Sequence, residues 1–302
     1  MRSTMVLLRR PKGPELAGAH GTRNPDHGFP NQRSYAWRKR YASVQSIRRI
    51  DIYSCDAYKL FMVKNALLPI SGFPTPHLTV DVVLLTIEQG AMKVLLMRMT
   101  CEPFADRLVL PGGFVREHET LEATARWVLA DKARLPGVVV EQLFTFSEPK
   151  RDPRGWVVSV TYFALVPAER VRTMLAQAGE DARLELASIV AEPSGELKLI
   201  VDDEVIEPGF DHLAMITTTV ERLQGKLDWS MAAFALLQDE FTLYDVQRVH
   251  EIILGRSVNK AHFRKRMLER PMPDGRRLVG TGRYLRGHHR PAELYQLEEL
   301  SA

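Results

Sequence analysis

The stretch LPGGFVREHETLEATARWVLADKARLPG (residues 110–137) combines residue types that suit the binding of a metal-bound diphosphate. Gly112 and Gly113 predict a turn, and Glu119 follows before a run with helical periodicity. Carboxylates one helical turn apart can hold Mg²⁺, which bridges phosphate oxygens and activates water. The first half of the stretch therefore indicates diphosphate chemistry.

The far end of the same helix lacks the carboxylates that this chemistry needs. Val128, Asp131 and Lys132 are predicted to share one helix face, and only Asp131 is anionic. A carboxylate about 4 Å from a dication is attracted to it by several kcal/mol at an effective dielectric of about 20, and an ammonium in its place is repelled by a similar amount. We therefore expect weak Mg²⁺ binding and little or no hydrolysis. Lys132 either attracts a pyrophosphate directly or points to solvent and pairs with Asp131 or Glu119.

The flanking sequence predicts the elements that position these residues. Apolar runs favour strands, and helical periodicity or a capping residue favours helices after Thr120, over AERVRTMLAQAG and after Asp211. Trp156 opens a strand and is expected in the core rather than stacked on a base, and His212 is expected to be structural. The predicted strands are LTVDVVLLTI, MKVLLMRM, RLVLPGGFV, VVVEQLFTFSEP, WVVSVTYFALVP and a pair within ELASIVAEPSGELKLIVDD. This mixture predicts an α+β fold.

A second pattern follows near the C-terminus, FTLYDVQRVHEIILGRSVNKAHFRKRMLER. Thr242 and Asp245 form a predicted capping box, Gly255 ends the first helix, and Asn259 caps the second. The second helix is expected to turn Phe263 and Met267 toward Val246, Val249 and Ile253 of the first. Two capped helices joined by a tight loop have helix–turn–helix spacing.

Basic side chains cluster on the second helix and in the RRLVGTGRYLRGHHRPAELYQL segment after it, which predicts a winged hairpin with Arg286 and Arg290 near its tip. Such cations suit DNA grooves and phosphates, although a solvated basic face is the alternative. The residues predicted to contact DNA are Thr242, Asn259, Lys260, His262, Arg264, Lys265, Arg266 and Arg283.

Charge is distributed unevenly along the 302 residues. Residues 1–50 hold 11 Lys or Arg and two acidic residues, residues 51–240 hold 18 and 28, and residues 241–302 hold 12 and seven. Basic ends favour nucleic acid more than an acidic middle does. Two cysteines argue against a disulfide framework or a cysteine-rich zinc site, and no apolar run reaches the length of about 20 residues that a membrane span needs. The cytoplasm is the expected compartment.

Three segments are predicted. Residues 1–72 are basic, rich in Pro and Gly and without an apolar period. They fit either a disordered arm that steers DNA or a translation start assigned too early, with the functional protein beginning near Met62. Residues 73–226 form the domain that contains the glycine turn, and residues 227–302 form the domain that contains the helix–turn–helix pattern; the resemblances given below imply effector binding for the first and DNA binding for the second. The boundary is expected near residues 226–230.

The stretch after Gly112 resembles the signature of the Nudix superfamily, whose members act on nucleoside diphosphates linked to another group. Gly113, Glu119, Leu129 and Leu135 match it, whereas residues 127–128, 131–132 and 134 do not carry its Arg-Glu pair, its Glu-Glu pair and its last Gly. The segment KRDPRG resembles the ADP-ribose-directed branch, although a solvated hairpin loop is the alternative for its arginines. The resemblance implies an α/β/α sandwich with a mixed sheet and an effector site at Gly112, Gly113, Glu119, Lys132, Arg151 and Arg154.

Together with FDH, FTLYDVQRVHEIILG and NKAHFRKRML, these segments resemble the NrtR-type regulators, a degenerate Nudix domain joined to a winged helix–turn–helix. The resemblance implies a homodimeric repressor of genes of NAD biosynthesis or salvage, bound to palindromic operator DNA and released by ADP-ribose or a related nucleotide. It implies neither a catalytic residue nor a cofactor, and no membrane partner. The alternative is a Nudix hydrolase of ADP-ribose or a similar nucleoside diphosphate, kept open by Glu119 and Asp131.

Overall fold

The structure is a computed structural model that describes residues 75–179, 183–269, 272–285 and 291–299. The predictions made for residues 1–72, and for Arg286 and Arg290 at the tip of the hairpin, fall outside these ranges. None of the described helices has both the length and the apolar character that crossing a membrane requires.

Eleven strands and six α-helices are present in the described part of the chain, with one π-helical turn. The strands are β1 (His77–Glu88), β2 (Ala91–Arg98), β3 (Leu108–Val109), β4 (Gly112–Phe114), β5 (Glu141–Phe146), β6 (Val157–Leu165), β7 (Leu184–Ala191), β8 (Leu197–Val201), β9 (Glu204–Ile206), β10 (Arg277–Leu285) and β11 (Ala292–Glu298). The helices are α1 (Leu121–Trp127), the π-helical turn (Val128–Lys132), α2 (Ala168–Ala178), α3 (His212–Lys226), α4 (Ala232–Ala235), α5 (Leu243–Leu254) and α6 (Lys260–Glu269).

Strand β1 explains the layered architecture. Its central residues are fully buried, and side chains alternate between two faces of the sheet, so that Val82 and Leu84 face one core while Val83 and Leu85 face the other. A strand covered on both faces reads as a continuous apolar run, as LTVDVVLLTI does. Helices α1 and α2 contribute to the first core and α3 to the second, which confirms the α/β/α sandwich.

The large sheet is mixed. Its strand order is β5-β6-β1-β2-β7-β8-β9, with β3 beside β2 and β4 beside β1. The β1–β6 pair is parallel, and the other neighbours are antiparallel. The predicted third strand is interrupted at residues 110–111, so β3 and β4 pair with different neighbours. This break brings Gly112 opposite Asp81 on β1.

The helix after the glycine turn changes its winding before it ends. Thr120 caps it as predicted, since its hydroxyl accepts the Ala123 backbone N–H at 3.1 Å. From Val128 onward the backbone bonds span five residues, as Ala133 N donates to Val128 O at 3.1 Å. The wider turn separates residues that an α-helix would align. The expectation that residues 128, 131 and 132 share one face is therefore wrong, because Val128 and Lys132 are buried and Asp131 is exposed.

Helices α4, α5 and α6 and the β10–β11 hairpin form the winged helix domain. The capping box of α5 is present, and Gly255 ends that helix in the left-handed conformation with φ of +66°. Phe263 is 4% exposed and packs with Val246 and the hairpin residue Tyr295, so that α5, α6 and the wing share a small core. This core confirms the predicted helix–turn–helix and wing.

The two domains share apolar contacts. Val249 and Ile253 of α5 were expected to meet α6, but they belong to the core that contains Leu223 and Val220 of α3. The Gln224 side-chain amide also donates to Ile253 O at 2.9 Å. Because α5 carries apolar residues toward both cores, it connects the large sheet to the winged helix.

Candidate functional site

A buried carboxylate, Asp81, lies beside the glycine turn. It is 5% exposed and sits in the middle of β1, where Ser159 Oγ donates to its Oδ2 at 2.5 Å. Burial raises the pKa of Asp81, while the nearby Arg151 and Lys132 cations and the Ser159 hydrogen bond oppose that rise. A charge at this depth is retained only when it is paired. Asp81 is therefore the centre of a buried polar cluster.

Lys132 lies in this cluster rather than in solvent. Its side chain is buried, Nζ donates to Gly112 O at 2.7 Å, and it lies 5.6 Å from the centre of the Trp127 ring. The alternative that Lys132 points to solvent is therefore wrong. An ammonium, not a carboxylate, faces the glycine turn where the superfamily pattern places its metal ligands.

Gly113 is constrained by packing of α1 on β4. A Cβ atom there would lie 2.9 Å from Cζ3 of Trp127 and 3.3 Å from Cγ2 of Val128. We expect Gly113→Ala to lower the free energy of unfolding by about 1–3 kcal/mol, the usual effect of overpacking a well-filled core. Urea denaturation measures this, with Gly155→Ala as the control because a Cβ there meets nothing within 4 Å. Equal effects of the two substitutions would contradict the packing argument.

Arg151 is the second cation of the cluster. Its side chain is 4% exposed, and its guanidinium forms two bonds to Asp211, Nε to Oδ2 at 2.9 Å and Nη2 to Oδ1 at 2.7 Å. Nη2 also lies 3.9 Å from Oδ2 of Asp81. The solvated-loop alternative for Arg151 is therefore wrong. The Asp211 carboxylate was expected to cap α3, but it makes no capping bond and binds Arg151 instead.

A cavity of about 780 Å³ opens beside this ion pair. Arg151 and Asp211 lie on its wall together with the edge strand β5, where Phe144 is exposed. The cavity joins aromatic surface to a guanidinium, a combination that suits a base and a phosphate. Its lining residues are Phe144, Thr145, Phe146, Ser147, Glu148, Pro149, Lys150, Arg151, Asp211 and Ala214.

Arg154 and Glu119 form hydrogen bonds to residues close to them in sequence. Arg154 binds Asp152 through Nε at 2.9 Å and Nη2 at 2.8 Å, and its guanidinium stacks 4.8 Å from the centre of the Phe210 ring. Glu119 accepts the Thr124 hydroxyl at 3.3 Å near the start of α1. Trp156, between the KRDPRG segment and β6, is 48% exposed, so the expectation that it lies in the core is wrong.

His212 closes the cluster from the start of α3. It is 2% exposed, its Nδ1 accepts the Leu110 N–H at 2.8 Å, and its Nε2 lies 3.9 Å from Oδ1 of Asp81. Burial lowers the pKa of His212 to about 3, aided by Arg151 and opposed by Asp211. Because Nδ1 is an acceptor, the neutral ring carries its proton on Nε2, on the side of Asp81. His212 thus connects the glycine turn to α3.

The neutral His212 makes stability depend on pH in a defined direction. His212 has a pKa of 6.5 in the unfolded chain and about 3 in the folded protein. Its contribution to the free energy of unfolding is therefore complete above pH 6.5 and is lost as the pH falls toward 3. In His212→Asn the amide oxygen can still accept the Leu110 N–H. Between pH 6.5 and 4.5, we expect the free energy of unfolding of this variant to fall by about 2 kcal/mol less than that of the wild type. Denaturation series at several pH values measure the difference, and parallel curves would contradict it. The raised pKa of Asp81 acts in both proteins.

Helix α6 presents most of its predicted DNA contacts to solvent. Lys260, His262, Arg264 and Lys265 are exposed. Asn259 caps the helix, since Oδ1 accepts the His262 N–H at 2.9 Å. Cations near the start of an exposed helix are placed to meet phosphates and base edges.

The other three predicted DNA contacts differ. Thr242 is 4% exposed and its hydroxyl is bonded to Asp245 in the cap of α5, so its inclusion is corrected. Arg266 pairs with Asp228 at 2.7 Å, and Arg283 pairs with Glu240. These two arginines are therefore already engaged within the chain.

The metal of the superfamily does not fit this site. Across the described ranges, no three His, Cys, Asp or Glu side chains are grouped so that they could hold a metal ion. The inner positions of the π-helical turn are Val128 and the ammonium of Lys132, and Asp131 points outward.

Comparison with known proteins matches both parts of the chain to known domains. Residues 75–191 match the model of the NUDIX domain, and residues 233–297 match the model of the NrtR DNA-binding winged helix domain. Over 233 residues the chain is 31% identical to the ADPR-responsive transcriptional repressor NtrR of Acinetobacter baylyi, covering 75% of this chain and 84% of that protein. The chain belongs to the NrtR family.

Solved structures agree with membership of the NrtR family. The crystal structure of Shewanella oneidensis NrtR complexed with a 27mer DNA is 34% identical, with a TM-score of 0.61, over 73% of this chain and 93% of that chain. A MutT/nudix family protein from Enterococcus faecalis is 26% identical, with a TM-score of 0.60, over 88% and 100%. The NrtR-type arrangement predicted from the sequence, including its fold class, is confirmed.

Four residues of this NrtR-family site were not predicted as site residues: Asp81, Ser159, Asp211 and His212. Asp81 had a readable signal, because it is the single charged residue inside LTVDVVLLTI and a strand buried on both faces tolerates a charge only with partners. The partners come from β6, the KRDPRG segment and the start of α3, and their meeting depends on the tertiary fold.

Proposed function

We propose that this NrtR-family chain is a transcriptional repressor of genes of NAD biosynthesis or salvage, bound to palindromic operator DNA as a homodimer and released by ADP-ribose or a related nucleotide. The observation that carries the proposal is the set of exposed cations on α6, Lys260, Arg264 and Lys265, with His262 exposed beside them. The relative from A. baylyi is an ADPR-responsive transcriptional repressor, and NrtR of S. oneidensis was crystallised with DNA, which supports it.

The effector site that we propose joins the Asp81 cluster to the cavity beside Arg151. Arg151 has a geometry that suits a pyrophosphate, because its fork already holds a carboxylate in two bonds. A pyrophosphate would compete with Asp211 for this fork. Since Asp211 directly precedes α3, the competition would reach the helix whose apolar residues pack with α5 of the winged helix. We assign effector contacts to Gly112, Gly113, Glu119, Lys132, Arg151 and Arg154.

Effector and DNA should weaken each other's binding by the same factor. Titration calorimetry with ADP-ribose, in the presence and absence of operator DNA, measures this coupling. Equal affinities in the two titrations would contradict it.

We propose that the chain has no diphosphate hydrolase activity, because the carboxylate pattern is replaced by Val128 and Lys132. Incubation with ADP-ribose and Mg²⁺ or Mn²⁺ tests this. We expect no more AMP from the wild type than from Glu119→Gln. AMP release that Glu119→Gln abolishes would establish the hydrolase alternative instead.

The deciding experiment is binding of the purified protein to its own upstream DNA at two salt concentrations, with ADP-ribose, NAD and arabinose added in turn. Tight binding that salt weakens and ADP-ribose reverses is the expected result. DNA binding that none of the three ligands changes would support the repressor function and contradict the proposed effector. Failure to bind this DNA, and to select any fragment from the genome, would reject the repressor.

A further inference from the structure

Two arginines of the winged helix domain pair with carboxylates that precede α5 in the chain. Arg266 of α6 lies 2.7 Å from Oδ1 of Asp228, which is 38 residues away in sequence, and Arg283 of the wing pairs with Glu240. Both carboxylates lie between α3 and α5. A single segment therefore supplies an anion to α6 and another to the wing.

Other basic residues of the winged helix have different partners. Lys265 and Arg276 pair with carboxylates on their own helix or turn, Glu269 at 4.0 Å and Asp274 at 2.6 Å. Within the described ranges, Lys260 forms no ion pair. Among the described residues of the winged helix, the ion pairs of Arg266 and Arg283 are the ones that join positions far apart in sequence.

The arrangement of Arg266 leaves part of its guanidinium unsatisfied. The group stacks 5.5 Å from the centre of the Phe263 ring, and its Nε is buried with no hydrogen-bond acceptor among the residues described. A buried donor without an acceptor is unfavourable. Asp228 therefore satisfies only part of the Arg266 guanidinium.

Neither pair is strong enough to resist displacement. In the Arg266–Asp228 pair the side chains are 29% and 70% exposed, and in the Arg283–Glu240 pair they are 64% and 29% exposed. Ion pairs open to solvent are weak and are screened by salt. DNA presents a dense row of phosphates, and its binding is driven by the release of counterions.

We propose that Asp228 and Glu240 are intramolecular competitors of the DNA phosphates. They hold Arg266 and Arg283 until a duplex supplies anions in their place, and so they weaken binding to DNA of any sequence. The operator adds base contacts to its phosphate contacts, whereas DNA without an operator depends on phosphate contacts alone and is therefore more affected by this competition. This inference rests on the proposed function.

The test uses the full chain and the double variant Asp228→Asn with Glu240→Gln, which removes both carboxylates and keeps side-chain shape. The control is Glu221→Gln with Asp239→Asn, which changes net charge equally at exposed residues that form no ion pair in the described ranges. Fluorescence anisotropy with a scrambled duplex measures the affinity at several salt concentrations. Thermal melting of each protein verifies that all are folded.

We expect the test variant to bind the scrambled duplex about three- to tenfold more tightly than the control, since removal of each ion pair contributes up to about fivefold. Its plot of log affinity against log salt should be steeper by up to about 0.9 for each phosphate contact. Equal affinities and slopes for variant and control would overturn the inference while leaving the repressor intact. A wild type that binds no DNA at all would overturn both proposals together.

Discussion

Replacing Arg151 with alanine is expected to lower the free energy of unfolding by about 3–5 kcal/mol, the usual result of removing one partner of a buried ion pair. The substitution leaves Asp81 buried without its nearest guanidinium and frees Asp211 from both of its bonds. Urea denaturation measures the loss. The control is Arg172→Ala, since Arg172 is 61% exposed and lies 3.9 Å from Glu88, and it should lose less than about 1 kcal/mol.

Because Arg151→Ala can compromise folding, Arg151→Lys separates stability from effector binding. Lysine keeps the charge but cannot reproduce the two-bond fork. We expect this variant to fold, to bind operator DNA and to need about tenfold more ADP-ribose for release, the loss of about 1.4 kcal/mol of binding. Unchanged release by ADP-ribose would remove Arg151 from the effector site.

Replacing Lys260 and Arg264 together with alanine is expected to weaken operator binding about 100-fold or more, because side chains that bind DNA in this way each contribute about 1–3 kcal/mol. Both side chains are exposed on α6. Because Arg264 also shares a hydrogen bond with the phenol of Tyr295 in the wing, thermal melting verifies that the variant is folded. Anisotropy against operator and scrambled duplexes separates their roles. Removing a side chain that binds a phosphate lowers the salt slope by about 0.9 on both duplexes, whereas removing one that reads a base lowers operator affinity alone.

A control outside the winged helix is Arg126→Ala, which removes one exposed arginine of α1 that pairs with Glu122. It should leave DNA binding unchanged. A Lys260→Ala, Arg264→Ala protein that still binds operator like the wild type would show that α6 does not read DNA.

Much of the fold follows from local sequence. The capping box at Thr242 and the left-handed Gly255 delimit α5 through bonds within a few residues, and periodicity does the same for β1 and α3. The π-helical turn does not follow in this way, because nothing in WVLADK distinguishes a five-residue hydrogen bond from a four-residue one. That difference turned Asp131 away from Lys132 and changed the composition of the site.

The site was predictable where a motif marks it and not where partners come from distant segments. Gly112, Gly113 and Lys132 were located by their spacing, but the burial of Lys132 depends on how the break between β3 and β4 brings Gly112 O to it. Asp211 has the side chain and the place of a helix cap, and local rules assign it to α3. Arg151, 60 residues earlier, takes its carboxylate instead.

The core shared by α3 and α5 has a consequence for cooperativity. Leu223 and Ile253 belong to one cluster that includes Leu96 of the sheet, so separating the domains would expose buried apolar surface on both. The sensor and the DNA reader should therefore behave as one unit in hydrogen exchange, with the slowest amides of α5 opening together with those of α3. A ligand that binds only the Nudix domain would then stabilise the whole unit by mass action. The amides of α5 would exchange more slowly when the effector binds, even if no helix changes position.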